Sequence, residues 1–290
     1  MKNYIIITDE TAGIPIDIDL EQDVVILNMP CVVDTKVYNE TNPIDIVEYY
    51  KLLRQGKVPK TSQINVSYVE KIFREYLEKD LDIIYFSFSS GMSGSYENVH
   101  SMATNLEKEY PGNKIKVVDT LSGAGGEGLL VYYAFRMKQM GKTIEELEQW
   151  VNDNRLNTHH YFIIRDITFL AKGGRISLAK ALVGEILQIN PILSLNMAGK
   201  ITPVGKVVGR KKALREMISY LQENYIPEMN EYILIEHGDC LEDAKAFAEQ
   251  IQKSMPDVQF KFGYVNKVVG SHAGAESLAV FFLGKKRKSK

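Results

Sequence analysis

The chain has 290 residues, of which 45% are hydrophobic, and this is enough for two domains of ordinary size, each with its own core. Its 35 lysines and arginines nearly balance its 37 aspartates and glutamates, so no overall positive field is available to attract nucleic acid or an anionic membrane. The start of the chain lacks the pattern of a signal peptide, and no run approaches the ~18 apolar residues of a membrane span. We therefore expect a cytoplasmic protein with no nucleic-acid partner and no stable membrane insertion.

Strands alternate with helical patterns in the first half of the chain. The predicted elements are strands over 4–8, 81–88 and 115–118 and helices over 68–77 and 126–140. This alternation predicts a mostly parallel sheet with helices on both faces. The stretch 21–43 has extended pieces without a helical period. It is predicted to be a strand followed by a small excursion from the main sheet.

The second half mixes hairpin and helix patterns. Turn residues Asn196 and Gly199 divide the run 191–207 into a predicted hairpin. A helix is predicted just before it, with an apolar face formed by Leu178, Leu182, Val183, Ile186 and Leu187. The other predicted elements are strands over 161–165, 232–236, 259–265 and 267–272 and helices over 210–224 and 242–254. Such a mixture predicts an α/β domain with a mixed or antiparallel sheet.

A polar stretch at 152–158 is the expected boundary between two domains. The predicted fold class is α/β with two domains, a three-layer α/β/α domain with a parallel sheet over 1–155 and a mixed-sheet α/β domain over 156–284. The basic residues 285–290 are expected to form a solvated tail. His159 and His160, next to the boundary, are also expected to be solvated.

The segment SFSSGMSGSYEN, residues 87–98, is the most informative polar stretch. It follows a predicted buried strand and opens a helix, where free backbone N–H groups can hold an anion. Gly91 and Gly94 would form the backbone of this anion loop, and several serines add hydroxyl donors. The alternative is a serine N-cap with glycines that serve the turn. The loop lacks the lysine of a phosphate loop, and Ser95 stands where a GxSxG nucleophile elbow around Ser93 needs its second glycine.

The segment GAGGEG, residues 123–128, matches the GxGxxG pattern of dinucleotide-binding proteins. Its first glycine comes several residues after the predicted strand, and the carboxylate expected about 20 residues later would be Glu148, inside a helix. The placement favours a tight glycine turn leading into a packed helix over a dinucleotide site.

Three further places carry candidate donors. Thr61 and Ser62 precede a predicted helix, and Arg175 follows two glycines in AKGGRIS. Arginine suits a carboxylate ligand, although a single arginine in a loop is more often a surface residue or a partner of a carbonyl. His272 in VVGSHAG is either a local hydrogen-bonding residue or part of a site. The two cysteines and five histidines form no pattern typical of a metal site.

Taken together, these segments resemble the DegV family of bacterial fatty-acid-binding proteins. The resemblance rests on TDETAGIP, TSQ, SFSSGMSGSYEN, VVDTLSGAGGEGLL, FLAKGGRISLAKALVGEILQINPIL with GRKKAL, and VVGSHAG, which occur in the family's order over nearly the whole chain. The chain departs from the family's usual motifs at Glu10, Gly13, Ile64, Asn190, Ala275 and Glu276. Glu276 adds a carboxylate near the expected site.

The resemblance implies two α/β domains with one long-chain fatty acid held between them, and no cofactor or metal. By motif match, the fatty carboxylate would be bound by Thr61, Ser62, Ser93, Arg175 and His272. The acyl chain would extend into the second domain, where Leu178, Leu182, Ile186 and Leu187 either line the slot or form an ordinary core face. The resemblance also implies a fatty acid kinase as partner, which converts the presented acid to an acyl phosphate, so that the carrier itself is not an enzyme.

Burial of the hydrocarbon chain could supply enough free energy to bind such a ligand. About 14 methylenes of palmitate, at ~0.8 kcal/mol each, could contribute about 11 kcal/mol before the costs of binding. A few well-placed donors then suffice for the head. The alternative interpretation is a serine esterase that uses Ser93 with His272, for which no third, acidic member is identifiable in the sequence.

Overall fold

The computed structural model describes residues 2–15, 17–20, 23–175 and 189–288. The strands are β1 Tyr4–Asp9, β2 Val24–Leu27, β3 Cys31–Val33, β4 Lys36–Tyr38, β5 Lys60–Thr61, β6 Asp82–Ser87, β7 Ile115–Asp119, β8 Thr158–Ile163, β9 Ile189–Leu195, β10 Ile201–Val208, β11 Ile233–His237, β12 Phe260–Tyr264 and β13 Leu278–Leu283. The helices are α1 Ile46–Arg54, α2 Val66–Leu77, α3 Ser95–Glu109, α4 Gly125–Gln139, α5 Ile144–Asn154, α6 Thr168–Gly173, α7 Arg210–Asn224, α8 Leu241–Gln252 and α9 Lys267–Ala273. The predicted helix with Leu178, Leu182, Val183, Ile186 and Leu187 lies outside the described residues.

A parallel sheet forms the centre of the first half. Its strands lie in the order β2-β1-β6-β7, and every neighbouring pair is parallel. Alternate residues of β1 enter different cores: Ile5 and Ile7 pack with residues of α2 and α3, whereas Tyr4 and Ile6 pack with residues of α4 and α5. Helices therefore cover both faces, which confirms the predicted three-layer arrangement.

The predicted excursion from this sheet is a small antiparallel sheet of order β4-β3-β5. Residues Cys31 to Tyr38 leave the main sheet after β2, form a hairpin, and pack on α1. Cys31 pairs with Thr61 in β5, so this small sheet fixes the position of the Thr61 backbone.

A mixed sheet of order β10-β9-β8-β13-β11-β12 forms the centre of the second half. Apolar side chains of α7 and α8 cover one of its faces. The other face, which includes Leu234 and Phe281, packs on α4 through Leu129 and Tyr132. Helix α4 therefore lies between the two sheets. The turn of the predicted β9–β10 hairpin is present, with Asn196 Oδ1 accepting the backbone N–H groups of Ala198 and Lys200 at 3.0 Å.

The structure differs from the predictions for the second half at three places. The run 267–272 is helix rather than strand, because the Asn266 side chain accepts the N–H groups of Val268 and Val269 and caps α9. The central strand β13 was not predicted, although all six of its residues are buried. His159 and His160 are buried rather than solvated: the His159 ring stacks on Phe282 with centroids 4.9 Å apart.

The basic tail is not solvated throughout, because Arg287 is buried. Its guanidinium donates to the backbone carbonyls of Leu121, Arg155 and Asn196 and so ties the end of the chain to both halves of the protein. Burial lowers the Arg287 pKa to about 10. None of the helices in the described ranges is long and apolar enough to cross a membrane.

Candidate functional site

A cavity of about 920 Å³, part of it open to solvent, lies between the two halves of the protein. Its wall takes residues from loops of the first half and from the mixed sheet, α6 and α9 of the second half. Most of the wall is apolar, with side chains that include Met29, Phe88, Met92, Phe162, Leu170, Leu195, Ile201, Val265, Val268, Val269, Leu278 and Phe281. A cavity with this lining suits a ligand with a long hydrocarbon part.

Five polar residues predicted from the sequence meet on the wall of this cavity. They are Thr61, Ser62, Ser93, Arg175 and His272, which we call the donor cluster. Thr61 Oγ1 and His272 Nε2 are 2.9 Å apart and share a hydrogen bond. Residues separated by more than 200 positions in the chain thus face one cavity.

Hydrogen bonds and close packing connect the Ser93 loop with the residues that follow Thr61 and Ser62. The Ser93 and Ser95 hydroxyl oxygens are 2.9 Å apart, and Ser95 Oγ accepts the backbone N–H of Ile64 at 3.2 Å. A Cβ on Gly94 would stand 2.6 Å from Gln63 Nε2, so glycine allows this close approach. The start of α3 and the TSQ segment are therefore joined directly.

The glycines of AKGGRIS position Arg175 beside His272. Helix α6 ends at Gly173 and is capped by Gly174, whose φ of +68° is a left-handed conformation that suits glycine. A Cβ on Gly173 would stand 2.1 Å from His272 Nδ1, so only glycine leaves room for the imidazole. Arg175 then folds back, and its guanidinium donates to the Gly173 carbonyl at 2.5 Å. Arg175 thus bonds to a nearby backbone carbonyl, which is one of the roles considered for a single loop arginine. The same side chain also lines the cavity.

The buried His272 imidazole is uncharged at neutral pH. Burial, and then the charge of Arg175, lower its pKa to about 4. Its Nδ1 atom is buried and has no hydrogen-bond partner among the described residues. The imidazole therefore acts on the donor cluster through Nε2, whose partner is Thr61 Oγ1.

Gly91 and Gly94 lie in the serine loop but are not part of the cavity wall. The Gly91 N–H donates to Ser89 Oγ at 3.1 Å, and Ser89 Oγ in turn donates to the Gly199 carbonyl at 2.8 Å. A Cβ on Gly91 would stand 2.2 Å from the Ala198 carbonyl oxygen. These contacts attach the loop to the β9–β10 turn. A role of the two glycines as a backbone anion loop remains a prediction.

The GAGGEG glycines allow α4 to approach its neighbours closely. A Cβ on Gly126 would stand 2.0 Å from His160 Nε2, and a Cβ on Gly128 would stand 2.0 Å from the Gly13 carbonyl oxygen. The segment thus opens a packed helix, as its spacing favoured.

Sequence reasoning missed four buried polar residues of the cavity wall: Thr11, Ser277, His160 and Glu236. The hydroxyls of Thr11 and Ser277 have hydrogen-bond partners in the protein. Burial raises the Glu236 pKa to about 8, although the Gly125 N–H opposes this by hydrogen-bonding to the carboxyl. Burial lowers the His160 pKa far below its usual value. Two features of the sequence could have indicated Glu236 and His160: the single acid in the apolar strand ILIEH and the pair of histidines in a strand.

Two departures from the usual family motifs are explained by ion pairs. Glu276 pairs with Arg165 and is not part of the cavity wall, so its carboxylate does not join the donor cluster. Glu10 pairs with Lys267, which is buried, and also accepts the Met29 N–H at 3.0 Å. Both acids are thus structural.

The geometry does not support the esterase interpretation. A serine nucleophile needs a base within hydrogen-bond reach. The Ser93 hydroxyl is bonded to Ser95, while His272 Nε2 is bonded to Thr61. Within the described ranges, no group of three or more histidines, cysteines or acids could hold a metal ion.

The fold and the cavity define a class of protein: two α/β units that enclose an apolar ligand cavity with a polar cluster on its wall. A family model described as "Uncharacterised protein, DegV family" matches residues 3–285. A DegV domain-containing protein of Clostridium perfringens is 38% identical over 286 residues, 98% of each chain. The chain therefore belongs to the DegV family, as the motifs indicated.

Solved structures agree with this assignment. A fatty acid binding DegV family protein from Streptococcus agalactiae is 25% identical, with a TM-score of 0.86 over 99% of this chain and 100% of that chain. A DegV lipid binding protein from Thermotoga maritima is 27% identical, with a TM-score of 0.82 over 99% of this chain and 100% of that chain. The two-domain α/β fold is thus shared with proteins described as binding fatty acid or lipid.

Proposed function

We propose that this protein holds one long-chain fatty acid in the cavity between its two halves and presents it to a fatty acid kinase. The observation that carries the proposal is the donor cluster on the wall of an otherwise mostly apolar cavity. Burial of the hydrocarbon would supply most of the affinity, and the donors would fix the carboxylate. The names of the S. agalactiae and T. maritima proteins support the same class of ligand.

Each member of the donor cluster has a distinct task in this proposal. Arg175 supplies the positive charge, and Ser62 and Ser93 supply hydroxyl donors. The His272 imidazole fixes the Thr61 hydroxyl through their 2.9 Å hydrogen bond. If Nε2 carries the proton, the Thr61 O–H is free to donate to the carboxylate. Residues 1–155 would then carry the hydroxyl loops, and residues 156–284 would enclose the acyl chain.

The protein itself would perform no chemistry in this proposal. It would act in the cytoplasm, and a separate kinase would convert the presented acid to an acyl phosphate. The family resemblance supports both statements, and the lack of a Ser93–His272 bond among the described contacts agrees with a binding role. Formation of acyl phosphate from ATP by a fatty acid kinase, only when the acid-loaded protein is added, would test the partner.

Thr61→Val is the sharpest single test of the donor cluster. Valine keeps the shape of threonine and removes only the hydroxyl, so the cavity keeps its volume. A hydrogen bond to a charged group is worth about 1.5–3 kcal/mol, which corresponds to roughly 10- to 100-fold weaker palmitate binding. Titration of delipidated protein with palmitate measures the change.

Thr104→Val is the matched control for this experiment. Thr104 is exposed on α3, and its hydroxyl donates only to the His100 carbonyl of its own helix, 2.9 Å away. This variant should bind palmitate like the wild type. Equal affinities of the Thr61→Val variant and the wild type would remove Thr61 from the binding site.

A further inference from the structure

Two titratable side chains on the cavity wall lie outside the donor cluster. His160 in β8 and Glu236 in β11 are 2% and 1% exposed, and both line the cavity. Strand β13 separates them, with Phe281 opposite His160 and Ala279 opposite Glu236. Since alternate residues of a strand share a face, both side chains project from the same face of the mixed sheet.

Neither side chain has all of its hydrogen bonds within the described part of the protein, although the Glu236 carboxyl accepts the Gly125 N–H. Both ring nitrogens of His160 and the Glu236 Oε2 atom are buried without a hydrogen-bond partner among the described residues. Phe281 presents its ring at 87° to the His160 ring, with centroids 5.6 Å apart, and offers no hydrogen bond. Leaving such groups unpaired costs about 1–3 kcal/mol each, so a plain hydrocarbon chain is a poor neighbour for them.

Glycines of the first half of the protein make room for this pair. A Cβ on Gly13 would stand 1.6 Å from Glu236 Oε1, and a Cβ on Gly126 would stand 2.0 Å from His160 Nε2. Gly13 is also one of the positions at which the chain departs from the usual family motif. Close packing against glycines of the first half therefore accommodates both polar side chains.

The chemistry of the pair selects the kind of oxygen that it can bind. Burial favours the uncharged carboxyl of Glu236 and the uncharged imidazole of His160. Each neutral group can donate one hydrogen bond and accept another. A hydroxyl group matches this capacity, because it also donates and accepts.

We propose that His160 and Glu236 form a second polar subsite, which recognises a hydroxyl group on the hydrocarbon part of the ligand. The preferred ligand is then a hydroxylated long-chain fatty acid. Its carboxylate would bind the donor cluster, and its hydroxyl would bind His160 and Glu236. This inference rests on the proposed function, since it assigns the substrate class of the same cavity.

Competition binding tests the subsite. Delipidated wild-type protein is titrated with octadecanoic acid and with a positional series of monohydroxy octadecanoic acids. At least one isomer should bind about tenfold more tightly than octadecanoic acid, as one or two recovered hydrogen bonds would give. The Glu236→Leu variant should lose this preference and bind octadecanoic acid more tightly than the wild type does. The Glu236→Gln variant, which still donates and accepts, should keep the preference.

The outcomes separate this inference from the proposed function. If octadecanoic acid binds the wild type as tightly as every hydroxylated isomer, the subsite is overturned while fatty-acid binding stands. If no acid of either kind binds, both fall. The wild-type comparison and the Glu236→Gln variant decide the matter even if the Glu236→Leu variant fails to fold.

Discussion

The ligand-free Glu236→Gln variant is expected to become more stable than the wild type as the pH rises from 5 to 8. Burial raises the Glu236 pKa from 4.5 to about 8 in the folded protein. Between these two values the folded wild type holds a proton that the unfolded chain has lost, so its free energy of unfolding falls as the pH rises. Glutamine has nearly the same shape and does not titrate, so the variant escapes this loss.

The expected difference is large. At about 1.4 kcal/mol per pH unit, the variant should gain roughly 3–5 kcal/mol over the wild type between pH 5 and pH 8. Urea denaturation of both delipidated proteins at several pH values measures it. Buried histidines act in the opposite sense: the His159 and His272 pKa values are lowered to about 4, so stability is lost as the pH falls from 6.5 toward 4. Both proteins share that loss, and the difference between them isolates Glu236. Parallel stability curves would show that Glu236 is not buried as described.

Replacing Gly128 with alanine is expected to destabilise the protein by roughly 3 kcal/mol, near the upper end of the usual cost of overpacking. The added Cβ would stand 2.0 Å from the Gly13 carbonyl oxygen and 2.6 Å from its carbon. Both are backbone atoms, so no side-chain rotation relieves the contact. Alanine is favoured over glycine inside a helix by about 1 kcal/mol, so a net loss can come only from the clash.

Gly112→Ala is the control for this substitution. Gly112 lies in a turn, and a Cβ there would meet no atom within 4 Å. Its change in stability should stay within about 0.5 kcal/mol, the usual range for a surface position. Equal denaturation midpoints for the Gly128→Ala and Gly112→Ala variants would contradict the close packing of α4 on the loop after β1.

Local sequence patterns predicted much of the fold. The strands near 4–8 and 115–118 end in aspartates, and the pattern placed them within one residue of β1 and β7. Sequence patterns did not predict two elements of the second half correctly. The β-branched run at 267–272 is helical because Asn266 caps it, and β13 was missed because its apolar run followed a segment already assigned to the end of the fold.

The residues of the candidate site were also only partly predictable from the sequence. Thr61, Ser93, Arg175 and His272 were chosen by motif, and the structure brings them to one cavity, which spacing along the chain cannot reveal. His160 and Glu236 escaped notice because their burial depends on contacts with Gly126 and Gly13, which lie in the other half of the protein. Only the packing of the two halves makes them part of the cavity wall.

Native mass spectrometry tests the central claim, that the cavity holds one long-chain fatty acid, most directly. The freshly purified protein, the delipidated protein and the delipidated protein with added C16 and C18 acids would be compared. The account predicts one adduct per chain with the mass of a single fatty acid, lost on delipidation and restored by the added acids. A bare protein in all three samples would contradict the claim.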